Sequence, residues 1–132
     1  MRAESVSSVT AFSVVDRVRS FRHALRGVRF MLQTQHNAWI HALATVVAVS
    51  AGVALQISRP EWLALTLAIA AVWTAEALNT AFEALCDVAM PEYHPQVEQA
   101  KDLAAGAVLI SAAGAVVIGV VVFGPKLTAL RW

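Results

Sequence analysis

Residues 62–85 read WLALTLAIAAVWTAEALNTAFEAL. No residue from Trp62 to Ala75 is charged; Glu76, Asn79 and Glu83 then follow in a stretch that is otherwise apolar. An apolar helix of about 20 residues crosses about 30 Å of hydrocarbon, so this stretch reads as a membrane span with polar groups set into one end. Two more stretches have the same length. Ile40 to Ile57 carries no charge and has His41 at its start, and Leu103 to Phe123 is uncharged throughout. Ser58-Arg59-Pro60-Glu61 joins the first two spans. Met90-Pro91-Glu92-Tyr93-His94-Pro95 opens a second connection that is expected to run to Asp102. Pro60 and Pro95 suit helix starts, where the missing N–H would have no partner anyway.

The composition agrees. The chain has 132 residues, 58% hydrophobic and 14% charged, against about 45–50% and about 25% in an average soluble domain. A soluble chain this short would need more polar residues to cover its surface. Intrinsic disorder calls for the opposite composition. The expected class is an all-α membrane protein: an N-terminal amphipathic surface helix and three transmembrane helices.

The net charge of +1 is unevenly spread. Arg2, Arg17, Arg19, Arg22, Arg26 and Arg29 crowd the N-terminal region against Glu4 and Asp16. Residues 1–16 read as a loosely ordered tail with no secretory signal peptide. From about 17 to 36, Val18, Phe21, Leu25, Val28 and Leu32 recur at spacings of three and four. A basic amphipathic helix of this kind lies in a membrane interface; packing on its own protein is the plainer alternative. The arginines place the N-terminus in the cytoplasm, the 58–61 loop outside, the 86–102 connection inside and the C-terminal tail (126–132) outside, with Lys126 and Arg131 in weak opposition. That makes a multi-pass protein of the cytoplasmic (inner) membrane.

Trp62 and Trp132 fall near the expected interfaces, and Trp39 and Trp73 read as lipid- or interface-facing anchors. The third span carries Ala104, Ala105, Gly106, Ala112, Ala113, Gly114 and Gly119, which let helices approach closely. Three helices enclose little interior, so an oligomer is expected. The lone cysteine, Cys86, cannot form an intramolecular disulfide and reads as a small packing residue. His41 reads as an interface or packing histidine.

A charge inside a span costs about 2.5–3.5 kcal/mol. At about 100° per residue, Glu83 and Asp87 lie within about 20° of Glu76 around the helix, and Asn79 lies about 60° away. The stripe is about 16 Å long. A hydrogen-bonding seam between helices is one explanation. It is the weaker one, because carboxylates on one face repel where Asn, Ser or Thr would serve. A carboxylate cluster calls for a cation or a proton. Oxygen ligands suit Mg²⁺, which completes its shell with water and substrate phosphates; no Cys or His pair stands at transition-metal spacing. His94, Lys101 and Asp102 add polar groups on the cytoplasmic side. No Walker or Rossmann motif is present, so a nucleotide site would have to be built differently.

These residues fall in runs that resemble the prokaryotic diacylglycerol kinase/undecaprenol kinase family of small membrane lipid kinases. The runs are Ser20-Phe21-x-x-Ala24-x-x-Gly27, Asn37-x-x-Ile40-His41, Glu61-Trp62, Glu76-x-x-Asn79-Thr80-Ala81-x-Glu83-x-x-x-Asp87, Pro91-Glu92-Tyr93-His94-Pro95, and Ala100-Lys101-Asp102 followed by Ala104 to Leu109. The resemblance covers about residues 17–125. It implies a homotrimer with active sites shared between protomers. It also implies an ATP-dependent kinase that phosphorylates a lipid alcohol, undecaprenol or diacylglycerol, among membrane lipids; a nucleic acid is not an expected partner.

The resemblance assigns roles as well. Glu76 would be the general base and Asn79 would orient the reacting groups. Glu83 would hold Mg²⁺, with Gln35 at a second metal position. Asp87, His94, Lys101, Asp102 and Arg17 would face the nucleotide, and Ala105 the lipid. Phosphoryl transfer requires charge on metal and phosphates and a group that takes the attacking hydroxyl's proton.

Gln35 departs from the family pattern, which has Glu there. An amide oxygen can coordinate Mg²⁺ without contributing charge. The departure is open to three readings: weaker direct binding, a water in place of the ligand, or a homologue that has lost activity. A small proton- or ion-translocating subunit is the remaining alternative.

Overall fold

The computed structural model describes residues 13–129. The expected N-terminal tail lies almost wholly outside the described residues, and Trp132 lies outside them as well. Four helices follow one another: α1 (Val14–Thr34), α2 (His36–Ala54), α3 (Arg59–Ala89) and α4 (Pro95–Ala129). The last three are long and apolar enough to cross a membrane. At 1.5 Å per residue α3 is about 46 Å long and α4 about 52 Å, so both outrun a hydrocarbon layer of about 30 Å. Their polar ends extend beyond the stretches that hydropathy marks.

The helix boundaries have local causes. Ser13 Oγ accepts a hydrogen bond from the Asp16 backbone N–H at 3.3 Å, which caps α1. Gln35 alone separates α1 from α2; its backbone is extended (φ −106°, ψ 117°) and its N–H closes the last turn of α1 on the Met31 carbonyl. Pro60 stands in the first turn of α3. There the Ser58 N–H donates to Glu61 Oε2 at 2.6 Å, and Lys126 Nζ on α4 reaches the same oxygen at 3.4 Å. This clasp joins the start of α3 to the end of α4. Pro125 does not end α4, which continues through it to Ala129.

The connection expected over residues 86–102 is much shorter, because Met90–His94 alone separate α3 from α4. Pro95 opens α4, the Val97 and Glu98 N–H groups bond the His94 carbonyl, and the Gln96 N–H donates to His94 Nδ1 at 3.3 Å. Lys101 and Asp102 therefore ride on a helix.

α3 packs chiefly against α4, and α1 and α2 rest on α3 more lightly. One core cluster gathers Ile57, Leu65 and Val122, backed by Trp62, Ile69, Ile118 and Phe123. Gln56, in the α2–α3 turn, takes a left-handed φ of 50°, and Ile57 beyond it folds back into that cluster. Gly52 is there by necessity: a Cβ would stand 2.9 Å from Trp62 Cη2 and 3.0 Å from Ile57 Cδ1. Elsewhere large apolar side chains face outward, including Leu43, Leu67, Leu109 and Val120. A single copy buries few of its apolar side chains, as suits a surface covered by lipid or by other copies.

Candidate functional site

α3 carries the buried polar residues of the described chain: Glu76, Asn79 and Thr80, at 0%, 6% and 5% exposure. Thr80 satisfies its hydroxyl on the Glu76 carbonyl at 2.9 Å. The other two are not satisfied. Neither carboxylate oxygen of Glu76 has a hydrogen-bond partner, and neither does Asn79 Oδ1. A buried polar atom without a partner costs about 1–3 kcal/mol, more when charged, so three such acceptors in one place call for a ligand that brings a donor or a positive charge.

One turn further along α3, Glu83 is half-buried and well held. Asn79 Nδ2 donates to its Oε1 at 3.1 Å, and Gln35 Nε2 donates to its Oε2 at 3.0 Å. The α1–α2 break thus delivers Gln35 to the site. Among the described residues no three His, Cys, Asp or Glu side chains are gathered to hold a metal by themselves. One carboxylate beside amide oxygens does fit a hard cation that takes its remaining ligands from phosphates and water.

Asp87, another turn on, is exposed, and Lys101 Nζ on α4 lies 2.5 Å from its Oδ1. Burial therefore falls along the stripe from Glu76 through Glu83 to Asp87, from an apolar depth toward a wet end.

The remaining candidates are placed less centrally. His94 is half-buried and caps α4. Asp102 is exposed and borders a shallow groove with Leu103 and Gly106. Ala105 is on an exposed face of α4, and Arg17 is exposed in the first turn of α1. Beside His94, the Tyr93 hydroxyl donates to Glu98 Oε2 at 2.7 Å, which holds the phenol proton and pushes its pKa up.

Two side chains read as passive take part in the site's frame. His41 Nε2 lies 3.7 Å from Glu76 Oε2. Trp73 is half-exposed, and its indole N–H donates to Thr45 Oγ1 at 3.1 Å, between α2 and α3. The signal for His41 was its place in the Asn37-x-x-Ile40-His41 run. No local pattern in the sequence marks Trp73. Between α3 and α4 a groove of about 550 Å³, lined by Leu78, Asn79, Phe82, Ala104 and Ala107, opens from the site to the outside of the bundle.

Known proteins share this arrangement of sequence. The prokaryotic diacylglycerol kinase family matches residues 22–123. The undecaprenol kinase of Bacillus subtilis is 38% identical over 109 residues, which are 83% of this chain and 89% of that protein. A diacylglycerol kinase of Synechocystis is 38% identical over 112 residues, which are 84% of this chain and 64% of that protein. With the match running through α1 to α4 and over every acidic residue of the stripe, the chain belongs to the prokaryotic diacylglycerol kinase family of lipid kinases.

Proposed function

We propose that the chain transfers the γ-phosphoryl group of ATP to the hydroxyl of a membrane lipid alcohol, undecaprenol or diacylglycerol, at the cytoplasmic face of the inner membrane. The observation that carries this reading is the trio of orphaned acceptors, Glu76 Oε1, Glu76 Oε2 and Asn79 Oδ1. A lipid hydroxyl supplies the missing donor. Its tail fits the apolar groove between α3 and α4, and the site lies where a lipid from the bilayer and a nucleotide from water can meet.

The residues then divide the work. Glu76 takes the hydroxyl proton as the oxygen attacks, and Asn79 orients that oxygen. Glu83, with Gln35, would hold Mg²⁺, which supplies neutralising charge to the phosphates. Lys101, steadied by Asp87, faces the nucleotide phosphates, with His94, Asp102 and Arg17 on the same side and Ala105 toward the lipid. The arginine-rich α1 lies in the cytoplasmic interface, with the N-terminus inside. The family resemblance implies a homotrimer with shared sites, and the groove along α3 and α4 leaves the site of one copy open to a neighbour. The more complete length match to an undecaprenol kinase supports undecaprenol as the first substrate to try.

One observation favours a second reading, a chain with weakened or lost activity: the side chain beside Glu83 is the neutral amide of Gln35, and both Glu83 oxygens already accept an amide N–H, which leaves each one lone pair for a cation. A single assay separates the two. The chain in detergent micelles is given γ-labelled ATP, Mg²⁺ and a panel of lipid alcohols. Label entering undecaprenol or diacylglycerol supports the kinase; no label in any lipid at any Mg²⁺ concentration supports the second reading.

A further inference from the structure

A proton taken by Glu76 has to leave before the next turnover. The side chain has no edge in water, since Glu76 is 0% exposed and its oxygens have no hydrogen-bond partner. A base in that position needs a neighbour to unload it. The titratable groups that face Glu76 are His41 from α2, 3.7 Å away, and Glu83 from α3. α4 adds only Ala112, Ala115 and Val116 to the adjoining groove, and the α1 face that meets α3 near Thr80 is Gly27, Val28 and Met31. Of these two neighbours, Glu83 is occupied with Gln35 and Asn79. His41 is the one that can accept.

The imidazole is built into place. Thr45 Oγ1 donates to the His41 carbonyl at 2.7 Å and accepts from Trp73 Nε1 at 3.1 Å, and Trp73 stands one turn before Glu76 on α3. This chain of bonds sets the register of α2 on α3 so that His41 faces Glu76. The 3.7 Å gap leaves no room for a water between the two; catalytic hydrogen bonds are often this loose before substrate binds. Among the described residues the ring makes no hydrogen bond that would explain it as a satisfied packing histidine. His41 also lines a groove of about 310 Å³ with Ile40, Ala44 and Thr45. From His41 to the start of α2 at His36 is only about 7 Å of helical rise.

We infer that His41 is a proton-relay residue that acts through Glu76. The inference rests on the reading of Glu76 as the base. In the transfer, the lipid oxygen bonds to the γ-phosphorus. The bond from that phosphorus to the bridging oxygen breaks, its electron pair leaves with ADP, and the hydroxyl proton goes to Glu76. That proton then passes to His41 Nε2. Glu76 returns to carboxylate, the ring gives its Nδ1 proton to water or a buffer base in the groove, and proton exchange from Nε2 back to Nδ1 restores the acceptor.

The test compares His41→Ala, His41→Gln and Glu76→Gln with the wild type, each as the full chain in detergent micelles with ATP and undecaprenol. The His41 variants are expected to lose about 100-fold in kcat, with both KM values within about twofold of wild type. Their rate becomes dependent on buffer concentration, and added imidazole restores part of it in His41→Ala but none in Glu76→Gln. Gln nearly keeps the volume of His, so if His41→Ala unfolds, the kcat loss and buffer dependence are read from His41→Gln. A kcat within threefold of wild type overturns the relay. So does a loss that moves KM as much as kcat and ignores imidazole and buffer. Turnover by Glu76→Gln overturns the reading of the base itself, and an inactive wild type overturns both; a dead Glu76→Gln beside a normal His41→Ala overturns the relay alone.

Discussion

Replacing Gln35 with glutamate probes the residue that the α1–α2 break sets against Glu83. The Gln35 amide donates to Glu83 Oε2 at 3.0 Å, and a hydrogen bond to a charged group contributes about 1.5–3 kcal/mol. In Gln35→Glu that bond is lost and a second carboxylate stands at about the same separation. Two like charges at that distance repel by about 5 kcal/mol at an effective dielectric of about 20. A divalent cation between them reverses the sign. The variant should therefore melt several degrees below wild type in detergent with chelator present. Mg²⁺ should raise its melting temperature more than it raises that of wild type. In the kinase assay the Mg²⁺ concentration for half-maximal rate should fall at least about tenfold, equivalent to about 1.4 kcal/mol. Unchanged melting with chelator together with an unchanged Mg²⁺ curve would refute the placement of Gln35 beside the metal carboxylate.

Gly52→Ala should lower stability by about 1–3 kcal/mol, because the new methyl meets the rigid Trp62 ring at 2.9 Å; an unchanged thermal melt would contradict that packing. Trp73→Phe and Thr45→Val should each cost about 1 kcal/mol, and together little more than either alone, since both remove the same bond; full additivity in a double-mutant cycle would show that the bond contributes nothing. Tyr93 is the chain's one tyrosine, so an absorbance titration reads it alone. Its midpoint should lie above the ordinary value of 10.0, because the hydrogen bond to Glu98 holds the proton, and Glu98→Gln should bring it down. A folded pKa above the unfolded one means that this bond stabilises the fold below the ordinary value and ceases to do so as pH rises through the folded one.

Much of this was readable in the sequence because it is periodic or scarce. Three apolar runs mark three spans by length, and Glu76, Asn79, Glu83 and Asp87 stand out because so little else nearby is polar. Helix ends were less readable. Hydropathy marks where hydrocarbon stops, and α3 and α4 continue past it; Pro95 with His94 starts α4 a full two turns before the apolar run. Contacts between distant residues were not readable at all. Gln35 and Glu83 are 48 positions apart, and their bond depends on a one-residue break between α1 and α2. His41 facing Glu76, and Trp73 bonded to Thr45, depend on the register of α2 against α3, which apolar periodicity leaves free. A histidine at the head of an apolar span looks the same in sequence whether it packs or relays.

The central claim is that a buried carboxylate on α3 takes the proton of a lipid hydroxyl during phosphoryl transfer. The most direct measurement is single-turnover transfer of labelled phosphate from ATP to undecaprenol by the wild type and by Glu76→Gln, which keeps the shape of the side chain and removes its charge. The account predicts label transfer by the wild type, and transfer by the variant slower by about 100-fold or more at unchanged ATP affinity. Transfer by Glu76→Gln at a rate close to wild type would contradict it.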